Sequence, residues 1–230
     1  MIAQNLNIVN ENINKAMKRR TRVPKDSPVK LVAVTKNHDI NAMREAIDAG
    51  VTDIGENRIQ EARTKFDTLG RQSIWHLIGH LQTNKAKYAV KMFDFIHSVD
   101  SVKLVRNIDH EASKIGKVQD ILVQVNLAGE EQKSGVAIDG MNELLHEADS
   151  LEHIHLRGLM MIAPNYENRE LCRPLFRKMY EIYIKTKEIP FKRANIDYLS
   201  MGMSHDYEIA IEEGANIVRV GTAIFGPRQY

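Results

Sequence analysis

The chain has 230 residues, 43% of them hydrophobic, with 32 basic against 30 acidic side chains and a formal net charge of +2. So even a balance argues against a nucleic-acid surface, and no stretch is long and apolar enough to span a bilayer, so neither nucleic acid nor membrane is expected as a partner. The single cysteine, Cys172, cannot close an internal disulfide, which fits a reducing, cytoplasmic setting.

The first element in chain order is an amphipathic helix over residues 1–20. Ile2, Leu6, Val9, Ile13 and Met17 recur at helical spacing, broken by asparagines, unlike the continuous apolar core of a signal peptide. The basic run KRRTRVPK, Lys18 to Lys25, reads as a solvated connector. Strand and helix then alternate. KLVAVT (30–35) predicts a strand and INAMREAIDAG (40–50) a helix. TDIGE (52–56) and NRIQEARTKFDTLG (57–70) form the second pair, SIWHLIG (73–79) and LQTNKAKYAVKM (81–92) the third. FDFIHSV (93–99) and SVKLVRNIDHEASKIG (101–116) are the fourth, VQDILVQVN (118–126) and DGMNELLHEADSL (139–151) the fifth. IHLRGLMMI (154–162) leads to a long helix over 167–188 that contains Cys172, which reads as a buried thiol rather than a nucleophile. IDYLSMG (196–202) and DYEIAIEEGA (206–215) follow, and IVRVGTAIFG (217–226) reads as an eighth strand running to the end.

Helices close on glycine, as at Gly50 and Gly70. The strands are short, apolar and without alternation, as a parallel sheet covered on both faces requires. Eight repeats without a Pro/Gly/Ser-rich linker predict one α/β domain over 1–230, a (β/α)8 barrel with an extra N-terminal helix. A doubly wound open sheet is the alternative.

Function in such a barrel sits where strands meet the following loops. The strand ends deliver Lys36; Glu56 and Asn57; His76; His97 and Ser98; Asn126; Met160; Met201, Gly202 and Ser204; and Arg219, Gly221 and Thr222. The loops after strands seven and eight, with Ser204, Gly221 and Thr222, suit an anion, although a plain helix cap and a plain turn would explain them singly. Lys36 closes an apolar strand, where an ammonium is costly to bury. Beside Arg219 its amine is expected to shed a proton and attack an aldehyde. The ligand this implies is an aldehyde bearing a phosphate, which pyridoxal 5′-phosphate (PLP) and a phosphorylated sugar both satisfy. Met160 and Met201 read equally as core. His38, His110 and His205 are expected at the surface, and no cluster has metal-ligand spacing.

AVTK (33–36), GENRIQE (55–61), WHLIGHLQTNK (75–85), GLMMIAP (158–164), SMGMSHDYEIAI (200–211) and VRVGTAIFG (218–226) together resemble the pyridoxal phosphate homeostasis protein family, related to the N-terminal barrel of alanine racemases. The resemblance implies a PLP-binding barrel of the fold type III kind, with PLP as cofactor. It places the PLP lysine at Lys36 and phosphate contacts at Ser204, Gly221 and Thr222. Arg219 matches the arginine facing the pyridine nitrogen, and Asn57, His76 and Met201 fall in motifs lining the cofactor.

The same resemblance implies a carrier that holds PLP as a Schiff base on Lys36 and buffers or supplies it to apo-enzymes, with no residue assigned to catalysis. An arginine at the ring nitrogen can only donate, which weakens the electron sink PLP reactions use. Racemisation needs an acid/base on each face of the substrate carbon; Lys36 serves one face, essentially nothing follows the closing Phe225, Gly226, Pro227, Arg228, Gln229 and Tyr230, and no base is expected for the other. A racemase of low activity is the alternative, a Schiff-base aldolase on a sugar phosphate the next, and a monomer is expected.

Overall fold

The structure, a computed structural model, describes residues 1–127, 129 and 134–227; Arg228, Gln229 and Tyr230 of the expected tail lie outside them. Eight parallel strands close on themselves in sequence order. They are β1 (Lys30–Val34), β2 (Asp53–Glu56), β3 (Ile74–Leu77), β4 (Phe95–Val99), β5 (Gln119–Gln124), β6 (Ile154–Met160), β7 (Tyr198–Met203) and β8 (Ile217–Val220). Outside run α1 (Ile2–Lys18), α2 (Ile40–Asp48), α3 (Ile59–Leu69), α4 (Ala86–Met92), α5 (Val102–Ser113), α6 (Ile138–Ser150), α7 (Arg173–Lys187), α8 (Tyr207–Glu212) and α9 (Thr222–Phe225). Closure through the β1–β8 pair, with Val32 beside Arg219, excludes the open doubly wound sheet.

Two expectations change. The eighth strand stops at Val220, and TAIF behind it coils into α9. Since α9 is one turn long, α1 packs against α2, α8 and α9 and covers the seam between first and last strands. It buries Ile2, Leu6, Val9, Ile13 and Ala16, so the extra N-terminal helix, additional to the eight that follow the strands, is packed onto the barrel rather than loosely attached. The helix predicted over 167–188 divides. A 3₁₀ turn covers Arg169–Cys172 and α7 begins at Arg173, because Pro174 has no N–H to give and is tolerated only in a first turn.

The basic run after α1 is more than a solvated connector. Arg20 is only 2% exposed and donates to Ile211 O at 3.1 Å, Ser27 O at 2.7 Å and Ala215 O at 2.8 Å. The last carbonyls of a helix lack partners and carry negative potential, so a guanidinium at the end of α8 is held there. Arg19 and Arg22 pair with Glu208, Glu212 and Glu213 beside it.

The sheet's two faces sort by chemistry. Ala33, Ile54, Trp75, Leu77, Ile96, Leu199, Met201 and Val218 pack outward with the helices. Val32, Leu122, Met160 and Ile217 form a small apolar layer inside the barrel. β6 changes face halfway. His155 and Arg157 both reach Asp120, yet the next inward side chain is Met160, because the register with β5 slips at Gly158. Gly158 has φ 149°, and a β-carbon there would lie 1.9 Å from Tyr198 O. Only glycine lets β7 approach at this bulge.

Candidate functional site

The C-terminal mouth of the barrel holds a cavity of about 500 Å³ whose walls include Lys36, Asn57, Ser204, Arg219, Gly221 and Thr222. Six of the eight residues singled out as ligand contacts therefore meet around one space. A lobe of about 320 Å³ adjoins it across Asn57, Ile78 and Ile162, reaching Gln124 and Asn126. A larger cavity, about 600 Å³, lies at the opposite end of the barrel around Lys30, Asp53 and Asp197. Its lysine is engaged by Asp53 at 2.8 Å, and barrels carry their chemistry at the other face, so the mouth is the candidate site.

Each strand contributes its side chain for a local reason. β1 ends at Val34, and Lys36 stands on the turn beyond, where Asn37 takes a left-handed φ of 63°. β7 leads into a tight turn in which Asp206 Oδ1 accepts from Met203 N–H at 2.6 Å. Gly202, at φ 93°, is needed there, since a β-carbon would meet Ala210 Cβ at 2.6 Å. Ser204 lies inside this turn and Asp206 occupies the cap position of α8, so Ser204 is not an ordinary helix cap. The Gly221 N–H donates to Ser204 Oγ at 3.0 Å, joining the loops after β7 and β8 and leaving the serine hydroxyl proton to donate elsewhere.

His76 and Met201 do not line the cavity. Met201 shares the outward face of β7 with Leu199 and packs among the helices. His76 points inward but lies below the mouth, fully buried, in a hydrogen-bonded row through the barrel core. Arg219 Nη1 donates to Ser200 Oγ at 2.5 Å, Ser200 Oγ meets His97 Nδ1 at 3.0 Å, His97 Nε2 meets His76 Nδ1 at 2.9 Å, and His76 Nε2 meets Asp53 Oδ1 at 2.8 Å. Burial keeps both imidazoles uncharged, pushing His76 down against the pull of Asp53 and His97 well down, with His76 and Arg219 adding to it. One assignment satisfies every link: Arg219 donates to Ser200, Ser200 to His97, His97 to His76 through Nε2–H, and His76 to Asp53 through Nε2–H. Arg219 Nη2 donates to Met161 O at 2.8 Å. Burial lowers its guanidinium to about 10, with Asp206 opposing, so it stays a cation at neutral pH.

Burial alone would raise the Asp53 carboxyl, but hydrogen bonds from His76, Lys30 and Thr52 outweigh it and hold it at about 2. A carboxyl depressed by folding stabilises the protein above its unfolded value, near 4, and loses that contribution as pH falls through 2. We expect about 2 kcal/mol to disappear over that window, read by denaturant unfolding at stepped pH. Asp53→Asn should flatten this part of the profile, and an unchanged acid limb would refute the assignment.

Sequence reasoning missed Ser200, Asp53 and Asn165, the last a lining residue of the mouth. His205 is exposed, as expected, and stands at the cavity rim, whereas His38, also expected at the surface, is half-buried in the cavity wall and stacked on Phe225 at 4.8 Å. Glu56, collected as a strand end, faces away from the mouth toward Lys65. Cys172 is buried, as expected, and burial pushes its thiol up to about 11. Among the described residues no His/Cys/Asp/Glu group could hold a metal ion, and no helix is long and apolar enough to cross a membrane.

Residues 5–229 match the family described as alanine racemase, N-terminal domain. A pyridoxal phosphate homeostasis protein of Aquifex aeolicus is 41% identical over 228 residues, 99% of this chain and 98% of the relative. One of Escherichia coli K12 is 36% identical over 234 residues, covering 100% of this chain and 97% of the relative. The solved structure of PipY from Synechococcus elongatus with PLP bound superposes with a TM-score of 0.85 at 36% identity, over 98% of this chain and 100% of that one.

Proposed function

Because the chain belongs to the pyridoxal phosphate homeostasis proteins, within the alanine racemase N-terminal domain family, we propose that its barrel mouth holds PLP on Lys36 and that the protein buffers or supplies this cofactor. It binds PLP and serves PLP homeostasis, as its full-length relatives are named for and as PLP in the related PipY supports.

The residues present suit the group. Asn57 lines the cavity, and its Oδ1 is a buried acceptor without a hydrogen-bond partner among the described residues. An amine, the hydroxyls of Ser204 and Thr222 and a guanidinium surround one space, a donor set for an aldehyde, a phosphate and an unprotonated ring nitrogen. PLP supplies a reactive aldehyde, to whose carbonyl carbon a neutral amine adds with loss of water. Lys36 is the amine on this wall. Arg219, bonded to a hydroxyl and a carbonyl and, among the described residues, to no carboxylate, presents only donors, and a ring nitrogen facing it is discouraged from taking a proton. That favours holding the cofactor over turning it over. Release to apo PLP-dependent enzymes is the use this reading assigns.

The meeting of Lys36, Ser204, Arg219 and Thr222 around one cavity carries the reading. Purified protein given PLP should show a near-visible band, lose it to borohydride, and yield one modified peptide containing Lys36. Modification spread over surface lysines would refute it.

A further inference from the structure

The turn bearing Lys36 is gripped from behind by a buried ionic cluster that does not line the mouth cavity. Lys65 of α3 has a side chain only 7% exposed. Its three N–H donors are all used, on Thr35 O, Glu56 Oε1 and Glu61 Oε1, each at 2.7 Å. Thr35 Oγ1 donates to the same Glu56 oxygen at 2.5 Å, and the Asn37 N–H donates to Glu61 Oε1 at 2.6 Å. The residues on both sides of Lys36 are therefore tied to one ammonium and its two carboxylates. Asn37 is held in a left-handed conformation that costs a non-glycine residue about 1 kcal/mol. Burial pushes the Glu56 carboxyl up against the pull of Lys65, and its second oxygen has no hydrogen-bond partner. A buried pair of this kind adds little net stability but fixes geometry.

We propose that Lys65, with Glu56 and Glu61, is a positioning group for Lys36: it fixes the backbone on both sides of that residue and so sets where the amine enters the mouth. This rests on Lys36 being the group that bonds the aldehyde.

Two ligands separate positioning from general damage. PLP has the aldehyde; pyridoxine 5′-phosphate keeps the ring and phosphate but carries an alcohol there and cannot condense with an amine. Lys65→Met weakens PLP binding by roughly tenfold while pyridoxine 5′-phosphate stays within about twofold, since misplacing a reacting group penalises only the step that uses it. Lys65→Arg recovers part of the loss. Where Lys65→Met fails to fold, Lys65→Met/Glu56→Gln removes both charges together. Glu61→Ala, altering the more exposed carboxylate, frees Asn37 and shows the same selective loss. Equal losses of both ligands, or loss of neither, would overturn the positioning role. Wild-type protein in which borohydride traps nothing on Lys36 would instead overturn the parent reading, and this one with it.

Discussion

Lys36→Ala abolishes the borohydride-trapped bond to PLP and the near-visible band, and leaves the fold intact. Lys36 stands on a turn outside the sheet, half-exposed, and side chains in such places usually change stability by less than about 1 kcal/mol. Chemistry and folding therefore separate at this position. Ser204, Thr222 and Arg219 remain around the cavity and can still hold the ligand by its charged groups. What disappears is covalency, because a methyl group cannot add to a carbonyl. Absorbance, borohydride reduction and intact mass on the same sample decide the matter. An undiminished reducible band in the variant would mean that another amine bonds the aldehyde.

Gly158→Ala has the largest expected effect on stability. The added carbon would sit 1.9 Å from Tyr198 O, and the backbone there has φ 149°. Nothing at that contact can yield cheaply, since both sides are main chain in paired strands. Overpacking and the backbone strain together should cost at least about 3 kcal/mol, lowering the melting temperature of a chain this long by about 6–12 °C. The damage would extend to the mouth, because β7 carries Ser200, and Met161, just beyond β6, supplies the carbonyl that holds Arg219. Thermal unfolding of the variant tests this, and a melting temperature within a degree or two of wild type would show that the bulge can relax.

The barrel was readable from the chain because alternation of short apolar runs with helical stripes repeats eight times, and closed parallel sheets leave that mark. Lys36, Ser204, Gly221 and Thr222 were readable because they follow strand ends, the last three in the loops after strands seven and eight, on the face where such barrels carry their sites. Three features resisted for physical reasons. The bulge at Gly158 switches β6 from one face to the other, so no period along IHLRGLMMI says which methionine points inward. Whether His76 lines a ligand or lies beneath it depends on depth along β3, which apolar pattern does not encode; Asp53 and His97, its two partners, come from neighbouring strands. Lys65 and Glu61, four apart on α3, look like a common surface pair. Thr35 beside Lys36 and Glu56 of β2 close over Lys65, while Glu61 stays part-exposed. Thr222 marks a different case. It was found as a site residue while its element was misread, because VRVGTAIFG is apolar enough to pass for strand until the turn of α9 is seen.

Between Arg219 at the mouth and Asp53 at the opposite end, the middle members of the row, His76, His97 and Ser200, each have no exposed surface. Their N–H and O–H protons are expected to trade with deuterium chiefly when the strands part, at the slow end of the exchange range. These protons therefore keep time with global unfolding. Whatever loosens the sheet hastens their exchange, and a ligand that occupies the mouth and binds only the folded chain slows it.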